Sequence, residues 1–182
     1  MSNFTFHDEK SAPADSAPLL KTAKSAYGFV PNLLAGMSTS PQLTEGYMTL
    51  SSIFNKTDLS ETERQIILMT NNRLNGCTYC MAAHTTISQG ANVDADVIEA
   101  LRTGSPIADP KLEALRIFSA QVNEKRGWVG EKEVAALLAA GYTQETVLNV
   151  VLGTSLKVMS NYTNHITETP VDEAFKPNTW TA

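Results

Sequence analysis

Residues 60–84 read SETERQIILMTNNRLNGCTYCMAAH, and the conformation of this stretch decides the fold. Ser60 followed three places later by Glu63 is a capping-box pattern, in which the serine hydroxyl and the glutamate each satisfy a backbone N–H that the first helical turn leaves open. The segment behind it, RQIILMTNNRL, carries apolar residues at helical rather than alternating spacing. Gly76 breaks that helix, and a second is expected over about 77–89, closed by Gly90. Two helices joined by one glycine, with both cysteines of the chain just after the joint, set the frame for the rest.

Outward from this pair the helical period persists. Asp15 is expected to cap a short helix over about 18–26 that ends at Gly28, Pro31 to open a second, and Pro41 a third reaching about 54. Further helices are expected over about 95–102, 110–126, 131–139 and 144–166. No run of alternating β-branched residues suggests a sheet, so the fold class is all-α. The 182 residues, 42% of them hydrophobic, suit a single domain spanning 1–182. Its N-terminus (about 1–14) is expected to be frayed and its C-terminal tail (about 167–182) irregular, with Phe175 and Trp180 docking on a neighbouring subunit or helix.

The formal net charge is −5, from 14 Lys and Arg against 19 Asp and Glu, and no long basic run offers a surface for nucleic acid. No apolar stretch reaches 18 residues, and MSNFTFHDEK lacks the order of a secretory signal, so no membrane partner is expected. A cytoplasmic location follows as the expectation, and there a C-x-x-C pair points to redox or metal chemistry rather than a structural staple. Gly28 and Gly36 stand alone rather than in a phosphate-cradling loop, so no nucleotide, flavin or haem cofactor is expected.

Cys77, Cys80 and His84 are spaced three and four apart, which aligns them along one helix face. Thiols in a first helical turn meet free N–H groups and the positive end of the dipole, both of which favour a thiolate. An imidazole one turn on, titrating near neutral pH, can take or relay a proton. A nucleophile, a resolving thiol and a base thus fall within eight residues. A zinc site would need a second paired motif, and two buried small hydrophobes with a core histidine remain the bland alternative.

The stretch ERQIILMTNNRLNGCTYCMAAH resembles the core of alkylhydroperoxidase D-like (AhpD-like) proteins, in the peroxidase-related branch of the carboxymuconolactone decarboxylase superfamily. The likeness extends to FVPNLLAGMSTSPQLTEGYMTL before it and to KLEALRIFSAQVNEKRGWV, AGYTQETVLNVV and SNYTNHI after it. The resemblance implies an AhpD-like helical bundle and a homo-oligomer, trimer or hexamer. It implies that Cys80 attacks peroxide, Cys77 resolves the product, and His84 belongs to a proton relay. The relay of the best-known members includes a Glu twelve residues before the first cysteine, where this chain has Gln65. A His between the cysteines is here Tyr79. Gln exchanges no proton at neutral pH but can orient an imidazole.

Among other acids, Glu63 reads as the cap, and Glu61, one turn before Gln65, as an exposed first-turn acid. On the last long helix Val147, Val151, Thr154, Val158 and His165 follow one stripe. His165 is therefore expected to face inward, as a core or interface histidine or as a neighbour of the thiols. Trp128 and the methionines read as packing, with Trp128 plugging a core edge or meeting a neighbouring subunit. The expected function is a thiol-dependent peroxidase in antioxidant defence, with a peroxide substrate and an external thiol or dithiol reductant. A general dithiol–disulfide oxidoreductase and a non-enzymatic redox-sensing interaction module are the rival readings.

Overall fold

A computed structural model describes residues 3–182. Among them the order is α1 (Ala17–Tyr27), α2 (Asn32–Met37), α3 (Pro41–Phe54), α4 (Glu61–Leu74), α5 (Thr78–Gly90), α6 (Ala95–Thr103), α7 (Pro110–Glu124), α8 (Glu131–Ala139), α9 (Gln144–Thr167) and a 3-10 helix (Glu173–Asn178), with no strand. The all-α expectation holds. No single described helix is long and apolar enough to cross a membrane. Asp15 is not the cap expected of it. Ser16 holds the N-cap position of α1, and its hydroxyl donates to Ser38 O at 2.7 Å instead, tying α1 to the end of α2.

The centre of the bundle is α4. Its start is the capping box read from the sequence: Glu63 N donates to Ser60 Oγ at 3.3 Å and Ser60 N to Glu63 Oε2 at 2.8 Å. Every residue from Gln65 to Asn72 is buried, because α5, α7 and α9 pack around this one helix. A helix covered on all sides must satisfy its polar side chains internally. Asn71 accepts from Asn123 on α7, and Asn72 accepts from Asn161 on α9.

The crossing of α9 over α4 is set by Gly153. A Cβ there would lie 2.7 Å from Ile67 Cγ2 and 2.9 Å from Phe54 Cε2, so only a bare backbone lets the helices approach so closely. The residues one to three turns further on the same face, Lys157, Ser160, Asn161 and Asn164, are buried. The stripe expected to face inward does not: Val151 is exposed and so is His165. The buried face runs one position ahead of that stripe, through Thr146, Val150, Gly153 and Leu156.

The two chain ends are laid onto this core. The segment expected to fray has no helix before α1, yet His7 N donates to Ala35 O at 3.1 Å and the Phe6 ring lies against Gly36. The tail is irregular apart from the 3-10 helix, and it docks on helices of its own chain. Asp172 accepts from Tyr79 Oη at 2.6 Å and from Asn32 N, and Phe175 packs edge-on against Tyr79 and Phe29. Trp180 Nε1 donates to Arg102 O at 3.0 Å. Trp128 plugs no core edge; it is 87% exposed.

Two stability predictions follow from this packing. Gly153→Val forces branched carbons into Ile67 and Phe54 and should destabilise the fold by about 1–3 kcal/mol, read as a lower denaturant midpoint at unchanged slope. Asp172→Ala strands the Tyr79 hydroxyl and the Asn32 amide together. It should lose about 1–3 kcal/mol, with faster hydrogen exchange at Asn32 as the local sign.

Candidate active site

Gly76 adopts the left-handed backbone (φ 65°) that turns the chain out of α4, a conformation glycine takes without strain. Cys77 follows in an extended conformation (φ −82°, ψ 95°) as the N-cap of α5, and Cys80 is the helix's third residue. Because Cys77 stands outside the helix proper, its side chain can swing toward Cys80 without unwinding the first turn. Both are free, buried thiols.

The two thiols are not equivalent. Burial pushes Cys80 up, but the hydrogen bond from Cys77, the Lys157 charge, Ser160 and Asn161 together outweigh it and hold Cys80 well below an ordinary thiol. Cys77 is pushed up, by its hydrogen bond to Cys80 first and then by burial. One proton is thus shared by a pair in which Cys80 is the sulfur that carries charge. Asn164 Nδ2 donates to Cys80 Sγ at 3.1 Å and reaches Cys77 Sγ at 3.7 Å. Its Oδ1 is buried with no partner.

His84 stands one turn beyond Cys80. Its Nδ1 is 2.8 Å from Gln65 Oε1, and its Nε2 is 3.0 Å from Lys157 Nζ. Gln65 Nε2 in turn donates to Glu61 Oε1 at 2.7 Å. A continuous line of polar groups therefore runs Glu61, Gln65, His84, Lys157. The sequence expectation of a histidine titrating near neutral pH needs correction: burial, then the Lys157 charge, hold His84 well below its usual range. Glu61 also departs from its reading as a solvated acid, since its other oxygen pairs with Arg64 at 2.7 Å. His165 has no place in this cluster; it is exposed on the far side of α9.

Cys80, His84 and Lys157 line one pocket of ≈ 60 Å³, otherwise walled by side chains such as Tyr47, Tyr79, Leu33 and Phe175. Cys77 is not among the lining residues, so an incoming small molecule meets Cys80 first. Burial pushes the phenols of Tyr47 and Tyr79 up, and they stay neutral.

The sequence reading missed Lys157, Asn161 and Asn164. The signal was present: polar residues at 157, 160, 161 and 164 keep helical spacing and continue the buried face of Val150 and Gly153.

Residues 41–120 match the model of the Carboxymuconolactone decarboxylase family. Among solved structures, the chain is similar to a peroxidase-related protein from Ralstonia eutropha JMP134, described as an alkylhydroperoxidase AhpD core. The two are 21% identical with a TM-score of 0.85, over 96% of this chain and 94% of that one. A peroxidase-related protein from Silicibacter sp. TM1040 is 18% identical, with a TM-score of 0.79 over 95% and 94% of the two chains. The debrominase Bmp8, solved in complex with 2,3,4-tribromopyrrole, is 16% identical, with a TM-score of 0.81 over 98% and 96%. No functionally curated protein matches the chain. The chain thus matches the Carboxymuconolactone decarboxylase family model over residues 41–120, and over its whole length it has the AhpD-like helical fold.

Proposed function

We propose that this protein is a thiol-dependent peroxidase. The observation that carries the reading is the asymmetry of the dithiol: Cys80 bears the charge and opens onto a ≈ 60 Å³ pocket, while Cys77 sits behind it. Cys80 as thiolate attacks one peroxide oxygen, the O–O bond breaks, and Cys80 becomes a sulfenic acid. Cys77 then condenses with it to a disulfide, releasing water. An external thiol or dithiol reductant restores the pair by exchange, which suits a reducing compartment such as the cytoplasm.

The size of the pocket favours a small oxidant. Cys80 is 2% exposed, so a small oxidant and a small thiol reductant reach it more readily than another protein's disulfide does, which argues against the general oxidoreductase. A brominated ring would need the wall residues to move, which argues against the chemistry of the debrominase relative. Assembly belongs to the same reading: Leu148, Val151, Tyr162 and Ile166 leave α9 with an exposed apolar strip, suited to a homo-oligomer.

One equivalent of hydrogen peroxide added to the reduced protein should remove both thiols in a single turnover. Mass spectrometry should show the loss of two hydrogens within the tryptic peptide that holds Cys77 and Cys80. Cys80→Ser should abolish the reaction, while Cys77→Ser should stop at a sulfenic acid that a dimedone trap captures. Reaction no faster than free cysteine, beside rapid exchange with an oxidised protein, would transfer the assignment to the general oxidoreductase. A change of oligomer size on oxidation, without turnover by any reductant, would instead indicate a sensor.

The charge on Cys80 makes a further expectation. Because its proton is lost well below the ordinary thiol range, the thiolate absorbance near 240 nm should persist as pH falls through neutrality. It should disappear only under acid conditions, and a loss on the alkaline side of neutrality would contradict the assigned asymmetry.

A further inference from the structure

Lys157 has no task in the cycle written above, yet it is among the most buried side chains of the protein, at 1% exposure. It shares the pocket with Cys80 and His84, and none of the ion pairs among the described residues includes it. A buried ammonium without an anion is strongly unfavourable, so its counter-charge must lie within the pocket.

The direction of its hydrogen bond is fixed from the far end of the polar line. The Glu61 carboxylate can only accept, so the Gln65 atom facing it is the NH₂ group, and the Gln65 carbonyl oxygen faces His84. A carbonyl oxygen can only accept as well, so His84 Nδ1 carries the ring's hydrogen. Neutral His84 is then bare at Nε2, and it is Lys157 that donates across the 3.0 Å contact. In this tautomer His84 has no proton to give to anything in the pocket. Lys157 keeps two further N–H bonds, and its charge is felt at both sulfurs.

We propose that Lys157 is the counter-ion that keeps Cys80 a thiolate and the acid that protonates the oxygen leaving the peroxide, with His84, Gln65 and Glu61 positioning it. The proposal rests on the peroxidase reading. Cys80 sulfur takes the terminal oxygen of ROOH as S–OH, the O–O electron pair leaves on RO⁻, and Lys157 gives it a proton, yielding ROH and a neutral amine. In the condensation the Cys77 proton passes to the departing hydroxide, forming water and the disulfide while Lys157 stays neutral. Two reductant thiols then return the pair to Cys77–SH and Cys80–S⁻, and the remaining proton returns to Lys157.

The test compares two electrophiles on the full chain and on Lys157→Met, whose side chain fits the same space without charge. Hydrogen peroxide needs a proton on its leaving oxygen; iodomethane expels iodide without one, and each is compared with its own rate on the wild type. At neutral pH the variant should lose most of its thiolate absorbance and react with peroxide about 10²–10⁴-fold more slowly, the usual range for removal of an acid or base group. Raising the pH until the thiolate is restored should return iodomethane reactivity to the wild-type level, while peroxide reactivity stays at least tenfold down. Equal recovery with both electrophiles, or unchanged thiolate in the variant, overturns the proposal. Nitrogen-15 shifts of His84 in the wild type give a check that needs no variant: a hydrogen found on Nε2 also overturns it. Should the wild type prove inert to peroxide, the peroxidase reading fails, and the acid role with it. The thiolate absorbance of Lys157→Met then decides the counter-ion role alone.

Discussion

A lysine amine and a cysteine sulfur carried out of water together constrain the rest of this structure. Either charge alone would be strongly unfavourable in a packed interior, and together they form a pair whose mutual attraction grows as water is excluded. That pairing needs α9 to lie close on α4, which Gly153 permits by bringing bare backbone against Ile67 and Phe54. One turn along from Gly153 stands Lys157, and the next two turns bring Asn161 and Asn164 over the dithiol. A packing feature of the core thereby sets the electrostatics of the site.

The labour is divided by helix. From the start of α5 come the sulfurs, one at the N-cap and one inside the first turn, so that one is free to move and the other is held. Through Glu61 and Gln65, α4 supplies direction: a carboxylate at the half-exposed helix start orders an amide, and the amide orders an imidazole. The charge comes from α9. The tail closes the pocket by seating Phe175 against Tyr79, and Tyr79 is itself held by Asp172 and the Leu33 amide. Tyr79 thus stands between the cysteines in sequence and serves as a wall of the pocket, anchoring the tail that the sequence left irregular.

The fold was legible because its signals are local. Capping residues, glycine stops and helical spacing placed α3, α4 and α8 closely, and Cys80 and His84 stand one turn apart on α5, with Cys77 moved off the helix to its N-cap. The face of α9 was not legible, since Val147, Val151 and Val158 on one side and Val150 and Leu156 on the other give the helix two apolar stripes. Which one turns inward depends on Gly153, whose value lies in the atoms it lacks. Lys157 and Asn164 were overlooked for the related reason that polar residues are ordinarily solvated; their burial follows from partners on other helices. The role of Glu61 was equally hidden, because a first-turn acid is usual whether or not it orients a neighbour.

Gln65 is the position where the chain departs from the Glu of the relay that its sequence resembles, and charge counting explains how the site can do without that carboxylate. With Lys157 as the proposed counter-ion, the buried groups of the reduced state are a thiolate, an ammonium, a neutral imidazole and an amide, which sum to zero. A carboxylate at position 65 would add a third charge to this balance and would face the Glu61 carboxylate as well. With Gln65 as a spacer, the acid stands one turn further out, paired with Arg64. In the proposed cycle the balance also survives turnover. Oxidation of Cys80 removes the anion, and in the same step Lys157 gives up the proton that made it a cation, so the sulfenic acid and the disulfide both sit beside a neutral amine. Reduction restores both charges together. A site that stays neutral in every state never has to bury an unpaired ion, and that is the physical condition under which a dithiol can cycle this deep in an apolar core.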